Sequence, residues 1–121
     1  MEHSDSAEVL SNGGAFDQQL DGFEARIEQQ TLAASVEQAL QDQSILVAEA
    51  GTGTGKTIAY LVPALLSGLR TIISTGTKNL QDQLFLRDLP RVQEILGITL
   101  NIALLKGRAN YLCTHRLRIW M

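Results

Sequence analysis

The stretch AEAGTGTGKT, residues 48–57, sets three glycines and three threonines around a single lysine. Glycine lacks the Cβ that resists left-handed turns, so a glycine-rich backbone can curl until its amides converge on an anion. A glycine, four residues and then Gly-Lys-Ser/Thr is the pattern of a phosphate-binding loop. Ala50 stands where that pattern has its first glycine, so the strict form is missed by one methyl group and the looser Ala-or-Gly form is met. In this reading Ala50, Gly51, Thr52, Gly53, Thr54 and Gly55 wrap a nucleotide's phosphates. Lys56 reaches the β- and γ-phosphates, and the Thr57 hydroxyl ligates Mg²⁺. A helix opening near Gly55 adds the partial positive charge of its N-terminus. The competing reading is a Gly/Thr-rich turn with no ligand. Context separates the two, because a phosphate loop follows a buried strand and opens a helix.

Both flanks have that character. The apolar run SILVAEA (44–50) suits a buried parallel strand. From Lys56 to Leu69, the residues Ile58, Leu61, Val62, Leu65 and Leu66 form a helical stripe, with Pro63 inside it removing one backbone donor. Upstream, Leu32, Ala33, Val36, Ala39 and Leu40 predict an amphipathic helix over about 28–40. Downstream, TIIST (71–75) and TLNIALL (99–105) read as two further strands. Residues 78–88 and 89–96 read as helices divided near Pro90. Helices alternating with apolar strands predict an α/β fold with a parallel sheet and right-handed crossovers. Residues 1–22 are polar and acidic and are expected to form a mobile leader with a short helix near Phe16 to Leu20, leaving 23–121 as the folded unit.

Composition narrows the setting. The 121 residues fit one domain, and 45% are hydrophobic. Net charge is −3, but it is unevenly spread: residues 1–57 carry −8 and residues 58–121 carry +5. A basic second half is compatible with nucleic acid, and equally with scattered solvated charges. The single cysteine, Cys113, excludes an internal disulfide. No uninterrupted apolar segment of membrane-spanning length occurs, and the N-terminus lacks the basic and apolar regions of a secretory signal, so a cytoplasmic protein without membrane partners is expected.

Four stretches together resemble the N-terminal part of the iron–sulfur DNA helicases of superfamily two, the XPD and DinG type, and most of all the YoaA branch of the bacterial DinG-like helicases. FEARIEQQ (23–30) is similar to the family's adenine-sensing segment, with Gln29 at the position of its glutamine. VAEAGTGTGKTIAYLVPAL (47–65) is similar to helicase motif I, where Ala at the head of the loop is usual. IISTGTKNLQDQL (72–84) is similar to motif Ia, and LLKGRANYLC (104–113) to the approach to the first cluster cysteine. The likeness covers roughly residues 23–117. It implies a RecA-like P-loop NTPase domain, present only in part, that binds ATP and Mg²⁺ and moves 5′ to 3′ on single-stranded DNA in repair or replication.

The resemblance also implies roles for individual residues, each with a plainer competitor. Gln29 would contact adenine through an amide that donates and accepts at once; alone it would be a solvent-facing helix residue. Thr75, Thr77 and Lys78 would touch the DNA backbone without reading sequence; alone they make an ordinary helix start capped by Thr77. Cys113 would be the first of four thiolates on a [4Fe–4S] cluster; alone it would be a small buried hydrophobe. Arg108, Arg116 and Arg118 would add to a basic surface near that cluster, or are solvated.

The acids after Thr57 are Asp82, Asp88 and Glu94, all in stretches that read as helical, so none is a credible Mg²⁺-holding aspartate at a strand end. With three cluster cysteines also missing, the chain is expected to be a piece of a longer parent, poorly soluble and at best a weak ATP binder. The rivals are another P-loop enzyme, such as a small-molecule kinase, and a stand-alone nucleotide- or DNA-binding module. A GTPase is disfavoured because no Asn-Lys-x-Asp segment occurs.

Overall fold

The computed structural model describes residues 5–51, 53 and 55–120, the side chain of Trp120 excepted. Two expected cradle residues, Thr52 and Thr54, lie outside the described residues, as does Met121. The helices are α1 (Asp5–Val9), α2 (Ala15–Gln19), α3 (Ile27–Asp42), α4 (Lys56–Leu66), α5 (Lys78–Gln83), α6 (Leu89–Leu96) and α7 (Thr114–Trp120). A π-helical turn, Leu84–Asp88, joins α5 to α6, and a 3₁₀ turn spans Arg108–Asn110.

The two long helices form where periodicity predicts them and pack against each other. Ala33 of α3 and Ala59, Leu61 and Val62 of α4 are fully buried. Leu89, Val92 and Ile95 of α6 close the same core. Pro63 sits inside α4 and is buried. The division near Pro90 takes a specific form. Proline cannot donate to the carbonyl four residues back and its ring crowds that carbonyl, and the π turn just before it absorbs the mismatch by letting the Leu89 amide bond to Leu84. Helix α6 then ends at Gly97, in the left-handed region at φ 70, with the Ile98 amide returning to the Gln93 carbonyl at 3.1 Å.

One expectation is corrected. Residues 5–22 are not a mobile leader. Leu10 and Phe16 are fully buried, the Ser6 hydroxyl donates to Glu37 Oε1 of α3 at 3.0 Å, and Gln19 Nε2 donates to the Ile95 carbonyl of α6 at 3.1 Å. The expected parallel sheet is not seen: among the described residues no strand occurs. The segments 44–50, 71–75 and 99–105 keep only part of a strand's burial pattern. In the later two, Ile73 and Ile102 pack on the helical core while Ile72 and Leu105 face outward. A parallel strand is stable when paired and covered on both faces. Here helices cover one side, and Ile45, Val47 and Ile72 are each more than nine-tenths exposed.

Candidate functional site

The glycine loop is held from one side by the start of α3. Arg26, which precedes that helix, and Gln29, in its first turn, are three residues apart and so share a face. The Arg26 guanidinium donates to the Gly53 carbonyl, and Gln29 Nε2 donates to the Gly55 carbonyl at 3.1 Å. Gly53 and Gly55 both adopt positive φ, 80 and 77. A trans peptide points its N–H opposite to its C=O, so drawing the Gly55 carbonyl toward Gln29 turns the Lys56 amide away from it. Lys56 then opens α4 with its side chain exposed and without an ion-pair partner among the described residues.

Gln29 is not the solvent-facing residue that its position in an amphipathic helix suggests. It is 4% exposed, and its Oε1 is buried without a hydrogen-bond partner. A buried amide oxygen left unpaired is costly. It is an acceptor whose lone pairs no described group satisfies. The residue borders an open groove of about 300 Å³ between the glycine loop and residues 20–24, walled also by Phe23, Arg26, Ile58 and Arg91.

Sequence reasoning missed three participants here. Arg26 holds the loop through a backbone carbonyl, and its only signal was its three-residue spacing from Gln29. Tyr60, one turn into α4, lies near enough to Thr57, the residue expected to ligate Mg²⁺, for that side chain to act on its phenol. Asp88 of the π turn lies close enough to act on Tyr60. Burial pushes the Tyr60 phenol above its ordinary 10.0; the Thr57 side chain opposes the rise and the Asp88 carboxylate adds to it. A phenol raised on folding contributes stability that is complete below the unfolded value, about pH 10, and is lost as pH climbs through the folded value. Tyr60→Phe is therefore expected to flatten the fall of Tm above about pH 10. Thermal melts of both proteins across that range check this, and identical alkaline slopes would count against it.

The other expected site residues are placed apart from this loop. Thr77 caps α5, its hydroxyl accepting from the Leu80 amide at 3.2 Å, and Thr75 Oγ1 donates to the Thr77 carbonyl at 3.2 Å. Lys78 is exposed on the first turn of α5. Cys113 is exposed, not a buried hydrophobe, and the described residues gather no group of three or more His, Cys, Asp or Glu side chains fit for a metal. No described helix is long and apolar enough to cross a membrane.

With a glycine loop, a lysine at a helix start and a buried glutamine assembled together, comparison with known proteins becomes decisive. The family model described as DEAD/DEAH box helicase matches residues 28–116. The chain belongs to the DEAD/DEAH box helicase family. Membership carries the RecA-like P-loop fold, of which the described residues display the helices and the loop. The chain is 60% identical over 111 residues to the ATP-dependent DNA helicase YoaA of Haemophilus influenzae, covering 92% of this chain and 17% of that protein. It is 58% identical over 96 residues to the Escherichia coli protein of the same name, covering 79% and 15%. It is 46% identical over 97 residues to the ATP-dependent helicase DinG of Mycobacterium tuberculosis, covering 74% and 15%. The chain thus spans about a sixth of the length of these relatives. No solved structure matches this chain.

Proposed function

We propose that this chain supplies the ATP-binding segment of a DNA helicase of the YoaA and DinG type, one that moves 5′ to 3′ on single-stranded DNA in the cytoplasm during repair or replication. The observation that carries this reading is the buried Gln29, tied to the Gly55 carbonyl on one side and left with an open acceptor on the other. Base and phosphate recognition then meet in one side chain. Arg26 and Gln29 hold the glycine loop in shape, Lys56 neutralises phosphate charge, and Gly51, Gly53 and Gly55 let the backbone approach the anion. Thr57 would hold Mg²⁺ through its hydroxyl, and Mg²⁺ would supply charge neutralisation between the β- and γ-oxygens.

The strands 44–50, 71–75 and 99–105 would complete a parallel sheet in that setting, and Thr75, Thr77 and Lys78 would contact the DNA backbone. A [4Fe–4S] cluster does not fit the residues present, because Cys113 is one thiolate where four are needed. It would be one ligand of a cluster whose other three thiolates come from outside these residues. A small-molecule kinase or a stand-alone binding module has no observation in its favour.

Titration of the chain with Mg·ATP and Mg·GTP, followed by calorimetry, tests the nucleotide reading. ATP should bind in preference to GTP, whose base offers a carbonyl where adenine has its amino group, and Lys56→Ala should weaken ATP at least about tenfold, roughly 1.4 kcal/mol. Equal affinity for the two nucleotides, or an unaffected Lys56→Ala protein, would refute it.

A further inference from the structure

The groove beside Gln29 has a wall that no sequence motif accounts for. Arg91, in the first turn of α6, lines it together with Phe23, Ile58 and the 20–24 turn. Two bonds fix this wall. Gln19 Nε2 donates to the Ile95 carbonyl at 3.1 Å and ties α2 to α6, and the Phe23 amide donates to the Leu20 carbonyl at 3.2 Å and closes the turn that follows α2. Ile95 stands four residues after Arg91, one turn along the same face of α6. It is buried, so the helix is anchored one turn from its arginine. The guanidinium is thus carried to the groove by a packed element and not by a loop.

Arg91 is exposed and has no ion-pair partner among the described residues, although Asp21 and Glu24 line the same groove. Glu24 lies instead 3.8 Å from Arg26. The inner part of the groove is of another kind. Gln29 is buried there with its Oε1 unpaired, and Phe23 and Ile58 are half-buried apolar side chains packed on the core. Gly53 and Gly55 border the groove and Lys56 does not, so Arg91 is placed away from the phosphates that Lys56 would neutralise. A flat ring entering here would set a polar edge on Gln29 and one face on the apolar wall. Its other face would turn to the open side, where an unpaired guanidinium stands.

We propose that Arg91 is a base-clamping residue, its guanidinium closing over the outer face of a purine whose edge meets Gln29. This rests on the nucleotide reading above and deepens it with a residue outside the glycine loop and the 23–30 segment. A planar, weakly hydrated guanidinium stacks on an aromatic face, where a lysine ammonium acts as a point charge. Contact with the face of a base gives affinity without choosing between adenine and guanine, so selection stays with the edge that Gln29 reads. The tie from α2 to α6 matters because a guanidinium on a fixed helix loses less freedom on binding than one on a free loop.

Calorimetric titration of the full chain with Mg·ATP and with magnesium tripolyphosphate tests the clamp, because the two ligands share the phosphates and differ in the base and its sugar. Arg91→Ala should weaken Mg·ATP about threefold to tenfold, the size of a cation–π contact at a partly open site, and leave tripolyphosphate unchanged. Arg91→Lys, which keeps the charge but not the plane, should recover only part of the loss. Arg70→Ala removes an exposed arginine that does not line the groove and should leave both ligands unaffected. Lys56→Ala should weaken both. Urea midpoints of the Arg91 variants without ligand should match that of the unaltered chain. Equal losses of ATP and tripolyphosphate in Arg91→Ala would make Arg91 a phosphate contact or a structural residue, and an unchanged ATP affinity would make it a solvated one. Either result overturns the clamp while the nucleotide reading stands. If the unaltered chain binds neither ligand, the nucleotide reading fails and takes the clamp with it.

Discussion

Gly55→Ala should abolish detectable Mg·ATP binding and lower the urea midpoint by an amount equivalent to about 2–3 kcal/mol. Two independent costs meet at this position. The backbone sits at φ 77, where a Cβ is strained by about 1–2 kcal/mol. That Cβ would also lie 2.2 Å from Gln29 Nε2 and 3.1 Å from its Cδ. Gln29 is buried and cannot swing freely aside, so the substitution displaces the side chain that holds the loop carbonyl. Gly51→Ala is the matched comparison: open space surrounds its added methyl and its φ is not positive, so its midpoint should stay within about 0.5 kcal/mol. The double variant Gln29→Ala/Gly55→Ala separates the two costs. Removing Gln29 relieves the collision but not the backbone strain, so part of the Gly55→Ala loss should return as a coupling energy. A Gly55→Ala protein that binds ATP like the unaltered chain would mean that the loop geometry is not what recognises the nucleotide.

The glycine pattern and the two long helices were legible because both signals are local. Helical periodicity over 28–40 and 56–69 reports a buried face within a few turns, and the loop's glycines report backbone shape directly. What could not be read depends on contacts far apart in the chain. Nothing in the spelling of residues 23–30 says that Arg26 and Gln29 spend their donors on carbonyls 26 and 27 residues away. The same holds for Tyr60 and Asp88, where a carboxylate acts on a phenol 28 residues away in the chain. The strands are a complementary case. A run such as SILVAEA declares that its residues prefer a covered, paired setting, but not that the partners are at hand. Ile45 and Val47 stay exposed where the described residues offer no ladder. Segments 71–75 and 99–105 keep alternate residues packed on the helices, so the core-facing half of their pattern is satisfied even without strand pairing.

The acidic N-terminus gives the sharpest contrast between pattern and packing, and Phe16→Ala tests it. Two apolar side chains, Leu10 and Phe16, are spaced too far apart in a polar run to announce a helix face, yet both are fully buried. Phe16 stacks obliquely on Phe23, with ring centroids 5.8 Å apart, and Phe23 lines the groove beside Gln29. Helix α2, which carries Phe16, is also tied to α6 by the Gln19 bond to Ile95. Truncating a fully buried phenylalanine costs about 3–5 kcal/mol through lost transfer energy and the cavity left behind. That is a large share of the roughly 5–15 kcal/mol that holds a domain folded. Phe16→Ala should therefore remove the cooperative urea transition or shift it far toward zero denaturant. Any folded remainder should bind Mg·ATP more weakly, because Phe23 loses the ring that backs it. Asp17→Ala, next in sequence but exposed, serves as the control: it gives up only the surface bond to the Gly13 amide and should cost about 1 kcal/mol or less. A detached leader would make the two substitutions indistinguishable. A packed one makes Phe16 among the costliest single side chains to remove, and places the wall of the groove beside Gln29 under the control of residues that precede the motifs themselves.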